Sequence, residues 1–208
     1  MLSDFSYVKI PEKSGNIEKD TQNLFCLNNK QKTFEHVKSV ALKNIEIAKQ
    51  YNLDIEKCAI CGYLHDMSAV ISPADMLSYA LKTNQKIYTA EEKIPMLLHQ
   101  RISKIIAEQD FNITDERILS AVECHSTLKT NPSDYDMALF IADKLSWDKD
   151  GTPPFYDVVN DALKKSLAAA SFAYMKYMVE HNMILYPHDW FVESMNFLGN
   201  GDALGETF

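Results

Sequence analysis

The chain has 208 residues, of which 46% are hydrophobic and 24% charged. Those are the proportions of a globular protein with a proper core, which excludes a disordered or fibrous chain. Asp and Glu number 29 against 21 Lys and Arg, a formal charge of −8. An acidic surface repels phosphate backbones and argues against a nucleic-acid polymer as partner, while a local basic pocket within it would favour a small anion.

In chain order, residues 1–30 are polar and weakly patterned, and are expected as an arm or loosely docked extension. From Phe34 to Tyr51 the apolar residues Val37, Val40, Ala41, Ile45 and Ala48 recur at three and four, which predicts a helix. A second is predicted from Ile55 to Met67. Ser72-Pro73 reads as an N-cap with proline at the first helical position, opening a helix towards Leu81. Pro95 opens a segment with Leu98, Ile102, Ile105 and Ile106 on one face. Thr114-Asp115-Glu116 caps the next, which carries Ile118, Leu119 and Val122 to His125, and Ser133 with Asp136 forms a capping box before Met137–Ile141. After the break Asp150-Gly151-Thr152-Pro153-Pro154, one long helix is expected through Ala162, Leu167, Ala170, Met175 and Met178. Pro187 is expected to start a last helix with Trp190, Phe191 and Phe197, and 199–208 to form a tail. Only six glycines occur, four of them at Gly151, Gly199, Gly201 and Gly205, so tight turns are scarce. The prediction is an all-α single domain over about 31–198, without internal repeats.

No run of eighteen apolar residues occurs, so no membrane span is expected. Met1-Leu2-Ser3-Asp4-Phe5 lacks a basic stretch followed by an apolar block, so no signal peptide is expected either. Cys26, Cys58, Cys61 and Cys124 are too few to staple such a chain and read as reduced thiols of a cytoplasmic protein. Cys58 and Cys61 form a C-x-x-C, but no second pair stands at zinc-ribbon spacing, and their apolar helical neighbours predict core packing.

The chemistry sits in the histidines. His36, His65, His99 and His125 fall in or at the ends of predicted helices beside apolar positions, Asp66 follows His65 directly, and Asp143 follows the apolar run Leu139–Ala142. Any one histidine there reads as core packing. Burying Asp66 and Asp143 without partners would cost several kcal/mol, and a shared metal neutralises both. Mixed His and Asp ligands suit iron, manganese, cobalt or zinc. Six ligands exceed one tetrahedral zinc, and Asp66 can bridge two ions, which at roughly 3.5–4 Å apart bind a hydroxide and steady an in-line displacement at phosphorus. His181 and His188 are expected in surface or packing roles. The stripe Phe172, Tyr174, Met175, Tyr177 and Met178 reads as helix core or a homodimer contact, ahead of a base-stacking shelf.

His36, His65-Asp66 and Asp143 match the H…HD…D signature, and the chain resembles the HD-domain superfamily of metal-dependent phosphohydrolases. Gly62-Tyr63-Leu64-His65-Asp66, Leu97-Leu98-His99, Ala121–Thr127 and Ile141-Ala142-Asp143-Lys144 fall in the order and spacing of its YqeK-type branch. The resemblance covers about Thr33 to Leu198. It implies a di-iron centre and symmetrical hydrolysis of diadenosine tetraphosphate to two ADP, a metal-bound hydroxide attacking phosphorus. It also implies His36, His65, Asp66, His99, His125 and Asp143 as ligands: His65, Asp66 and Asp143 as the core, His99 and His125 mainly on the second ion. Asp66, His65 and His99 are the catalytic candidates. Several positions depart from the branch. Ala69 stands where it often has Lys, Gln100 and Leu128 where it often has Gly, and Ser146 and Lys149 where Glu and Arg are common. Arg101, Lys104, Lys129, Lys144 and Lys149 are the candidate phosphate contacts. A different nucleotide substrate, a nucleoside mono- or triphosphate, is the second reading, and a metal-retaining nucleotide sensor the third.

Overall fold

Local capping chemistry sets most helix boundaries in the computed structural model, which describes residues 1–147 and 151–200. Its helices are α1 Ile17–Leu27, α2 Gln31–Tyr51, α3 Ile55–Leu64, α4 Pro73–Lys82, α5 Thr89–Lys93, α6 His99–Gln109, α7 Glu116–Cys124, α8 Asp134–Leu145, α9 Tyr156–Leu163, α10 Leu167–Glu180 and α11 Asp189–Gly199. Single-turn 3-10 helices lie at Leu2–Asp4, Met67–Val70 and Pro95–Leu98, and no strand occurs among the described residues. The all-α expectation holds. The side chain of Ser72 accepts from the amide of Asp75 to start α4, with Pro73 in its first turn. Asp115 does the same for α7, and Ser133 with Asp136 closes a full capping box on α8.

The core is one apolar cluster, in which Val37, Val40 and Ala41 of α2, Leu64 of α3, Ile102 and Ile106 of α6 and Phe140 and Ile141 of α8 are all fully buried. α2 packs against α1, α3 and α8, α7 bridges α6 and α8, and α10 packs on α8, α9 and α11. α2 and α3 approach so closely that a Cβ on Gly62 would fall on the backbone of Ala41. Asn44 reinforces the contact by donating across it to the carbonyl of Cys58 at 2.8 Å. This close approach sets the helix bearing His36 beside the end of the helix leading to His65.

Four expectations are corrected. The long helix is broken into α9 and α10 at Lys164-Lys165-Ser166, because the extended Ser166 caps the second piece by accepting from Ala169. The last helix starts at Asp189, where the His188 ring, not Pro187, caps the amide of Trp190 at 3.1 Å. The helix expected to Met67 ends at Leu64 and gives way to a 3-10 turn after His65-Asp66. The first thirty residues are not loosely docked: Leu2, Val8, Leu24 and Phe25 are buried in the same core. Asp20, 2% exposed, accepts amides from Ser14 at 2.7 Å and Gly15 at 3.0 Å. Leu2 and Val8 stand outside any long helix and show no period, whereas Ile17, Leu24 and Phe25 recur at helical spacing in α1, which Asn16 caps by accepting from the Lys19 amide. Cys58, Cys61 and Cys124 are buried and Cys26 exposed, all as thiols, in line with core packing of the C-x-x-C. Burial pushes the Cys58 thiol up to about 12.

Gly62→Ala should lower the unfolding free energy by about 2–3 kcal/mol in urea denaturation, since backbone rather than a mobile side chain must yield. A loss near zero would contradict the close approach of α2 and α3.

Candidate metal centre

Helix ends supply the site. His36 lies near the start of α2, His65 and Asp66 just past the end of α3, His99 at the first residue of α6, His125 just past α7, and Asp143 in the last turn of α8. Two groups of ligand atoms, each within 4.8 Å of one another, are formed by His36, His65 and Asp66 and by Asp66, His99 and His125. Asp66 belongs to both. Its Oδ1 lies 3.5 Å from His99 Nε2 and 3.6 Å from His125 Nε2, and its Oδ2 3.5 Å from His65 Nε2. Asp143 Oδ1 lies 3.2 Å from His36 Nε2 and 3.8 Å from His65 Nε2. All six expected ligands therefore converge.

Backbone carbonyls orient three of the rings. The Nδ1 of His65, His99 and His125 meets the carbonyl three residues earlier, of Gly62, Met96 and Val122, at 2.8, 2.7 and 2.8 Å. A carbonyl oxygen can only accept, so Nδ1 carries a proton in each ring and Nε2 is the nitrogen turned to the centre. Metal-binding histidines are commonly held by such a bond. Burial pushes His65 below the ordinary imidazole range, and His125 to about 4, against the pull of the nearby carboxylates. Burial alone would raise the Asp66 carboxyl, yet His65, His125 and His99 hold it well below the usual range. Asp143 is likewise held down against burial, first by Lys144, whose Nζ lies 2.6 Å from its Oδ2.

The donor set fits metal ions. The fully buried His65 Nε2 has no hydrogen-bond partner, and the Nε2 atoms of His99 and His125 face each other at 2.9 Å. Two lone pairs at that distance repel unless a cation or proton lies between them. Imidazole nitrogens gathered around two carboxylates are donors of the kind that would hold divalent ions, and Asp66 belongs to both groups.

The expected phosphate contacts divide. Lys144 is at the site, beside Asp143 and over the Phe140 ring at 5.1 Å. Arg101 is not, because the fully buried carboxylate of Glu91 binds its guanidinium at 2.8 and 2.9 Å. Lys104 pairs with Glu108 at 3.0 Å, and Lys129 donates to Ser120 at 2.6 Å. Lys149 lies outside the described residues. His188 is 2% exposed and packs at Tyr88 and Glu91, while His181 stacks on Tyr177, both in packing roles.

The departures also find places. Gln100 is buried and holds the loop after His125, accepting from the Ser126 amide at 3.0 Å and donating to Thr127 Oγ1 at 3.0 Å. Leu128 is fully buried at φ +55°, the left-handed conformation glycine adopts readily, and its amide closes the end of α7 on Cys124 at 2.7 Å. Sequence reasoning missed Ser126, whose Oγ lies 3.0 Å from His99 Nε2, because adjacency to His125 was its only signal. It also missed that the centre opens on two clefts. Asp66, His99 and Ala69 line one of about 680 Å³, and His36, Asp143, Lys144 and Ser146 line one of about 320 Å³ with Tyr174 and Met178 of the aromatic stripe.

The sequence pattern of the HD domain family matches residues 33–148, more than half the chain, and the chain belongs to that family. The fold is that of an HD-superfamily hydrolase: a crystal structure of a predicted HD superfamily hydrolase involved in NAD metabolism, from Clostridium acetobutylicum, superposes with a TM-score of 0.77. It is 23% identical, over 89% of this chain and 97% of the other. An uncharacterized protein in the pepC 5' region of Lactococcus lactis subsp. cremoris is 33% identical over 81% of this chain and 86% of its own. A symmetrical bis(5'-nucleosyl)-tetraphosphatase of Staphylococcus aureus is 24% identical over 83% of this chain and 89% of its own.

Leu128 offers a direct test of the loop that carries His125. Leu128→Ala loses buried packing and keeps the left-handed backbone, costing about 3 kcal/mol. Leu128→Gly loses slightly more packing but relaxes the backbone, and should be no less stable than the alanine variant in paired urea unfolding curves. A glycine variant less stable by about 1 kcal/mol, the ordinary order at core positions, would contradict strain at φ +55°.

Proposed function

We propose that the chain is a metal-dependent phosphohydrolase that cleaves a dinucleoside tetraphosphate symmetrically into two nucleoside diphosphates. The observation that carries this reading is the sharing of Asp66 between two ligand groups whose centre opens on two clefts, a layout suited to a substrate with two equivalent halves. The name of the Staphylococcus aureus relative supports the same substrate.

In this reading His36, His65, Asp66, His99, His125 and Asp143 hold two ions, with iron the first choice and manganese, cobalt and zinc compatible with the same donors. When bound, the ions supply Lewis-acid charge and an activated water. The carbonyls of Gly62, Met96 and Val122 hold Nδ1 of the three rings and so aim Nε2 at the centre. Asp66, His65 and His99 are the catalytic ligands at the junction of the two groups. Lys144, protonated beside Asp143, places its ammonium in the wall of the smaller cleft, where it steadies a phosphoryl oxygen. Hydrolysis joins the oxygen of water to one inner phosphorus and breaks its bond to the central bridging oxygen, which leaves on the second diphosphate. Charge neutralisation and alignment account for the acceleration.

The second reading, another nucleotide such as a nucleoside mono- or triphosphate, is favoured by the engagement of Arg101 with Glu91 and of Lys129 with Ser120, which removes two cations from the phosphate path. Chromatography of the products from diadenosine tetraphosphate, run beside ATP and AMP, separates the readings. The expected result is ADP alone, two per substrate consumed. AMP together with ATP, or an untouched tetraphosphate beside a consumed mononucleotide, would overturn the first reading.

A further inference from the structure

Residues outside the matched HD domain build part of the larger cleft at the metal centre. Besides Asp66 and His99, that cleft is lined by Tyr7, Lys9 and Lys30. The segment that carries them is fixed to the body at three points. The amide of Leu2 donates to Asp110 Oδ2 at 3.1 Å. The Tyr7 hydroxyl donates to Asp75 Oδ2 at 2.6 Å and accepts the amide of Ser72 at 3.1 Å. Asn28 grips both backbone groups of Lys9, accepting its amide at 2.8 Å and donating to its carbonyl at 2.7 Å. With Leu2 and Val8 buried, Lys9 is held at the cleft rather than swept about on a tail.

Among the described residues, Lys9 and Lys30 are the only Lys or Arg side chains lining this cleft. Both are exposed, and no ion pair among the described residues reaches either. Two unneutralised ammonium groups therefore share a cavity with the ligands Asp66 and His99. The 3-10 turn that follows Asp66 adds only Ala69 and Val70 to the lining, so it supplies no charge. The first turn of α2, which has no side-chain cap, opens at Lys30 and adds Thr33 to the same lining. Cations beyond an ion-binding centre are placed for the phosphate next to the reacting one.

We propose that Lys9 and Lys30 bind the outer phosphate of the nucleoside diphosphate half that occupies this cleft, making the N-terminal segment a determinant of selectivity for nucleoside polyphosphates over single phosphates. The proposal rests on the reading of the centre as a nucleotide phosphohydrolase. Its test is binding, which does not depend on which nucleotide is turned over. ADP and inorganic phosphate are titrated calorimetrically into manganese-loaded wild type, the double variant Lys9→Gln/Lys30→Gln, and the charge-preserving Lys9→Arg/Lys30→Arg. The expected result is an ADP affinity at least ten-fold weaker in the glutamine variant and largely restored in the arginine variant, with inorganic phosphate affected at least five-fold less. An ADP affinity unchanged in the glutamine variant, an equal loss for ADP and phosphate, or no ADP binding by the wild type would overturn it. Failure of wild type to cleave the tetraphosphate while ADP affinity still falls in the glutamine variant would instead remove the proposed substrate and leave the lysines in place.

Discussion

The carboxylate of Asp66, set among the Nε2 atoms of His65, His99 and His125, is the constraint on which the rest of the architecture depends. A carboxylate and three imidazole nitrogens crowd one small pocket, and Asp143 beside His36 extends it. Such a pocket is costly in a bare fold, because burial disfavours the charge and lone pairs oppose one another. The helices hold the groups together nonetheless.

Placing these side chains at helix ends solves two problems at once. In the last turns of α3 and α7, the ring Nδ1–H groups of His65 and His125 donate to the carbonyls of Gly62 and Val122, which the helices leave without an amide. The same bonds fix the tautomer that leaves Nε2 to the centre. At the 3-10 turn Pro95–Leu98 the Met96 carbonyl takes both the backbone amide and the ring Nδ1–H of His99. The close approach of α2 and α3 at Gly62 then brings the His36 and His65 rings to 5.3 Å between centroids. Local hydrogen bonding and helix packing thus act on the same few atoms.

Much of this was legible in the residues. Ser72-Pro73, Asp115 and the Ser133–Asp136 box announce their helices because capping is a local property. The convergence of six side chains was legible through the H…HD…D pattern with His99 and His125, and the structure brings all six together. The break at Lys164–Ser166 was hidden because apolar spacing continues across it, and the docking of residues 1–30 because Leu2 and Val8 are isolated apolar positions and the single short period Ile17, Leu24, Phe25 does not say what α1 packs against. The phosphate cations were the least legible. A long side chain goes where tertiary structure offers a partner, and Arg101 meets Glu91 across a separation that sequence spacing does not reveal.

A shared Asp66 has a consequence that ligand counting tests directly. After reconstitution with manganese or iron and removal of unbound metal, inductively coupled plasma mass spectrometry gives the ions held per chain, and circular dichroism reports the helical fold. Sharing predicts two ions per wild-type chain and loss of both in Asp66→Ala with helicity retained, because each ligand group loses the same carboxylate. A single ion in the wild type, or two ions retained by Asp66→Ala, would contradict it.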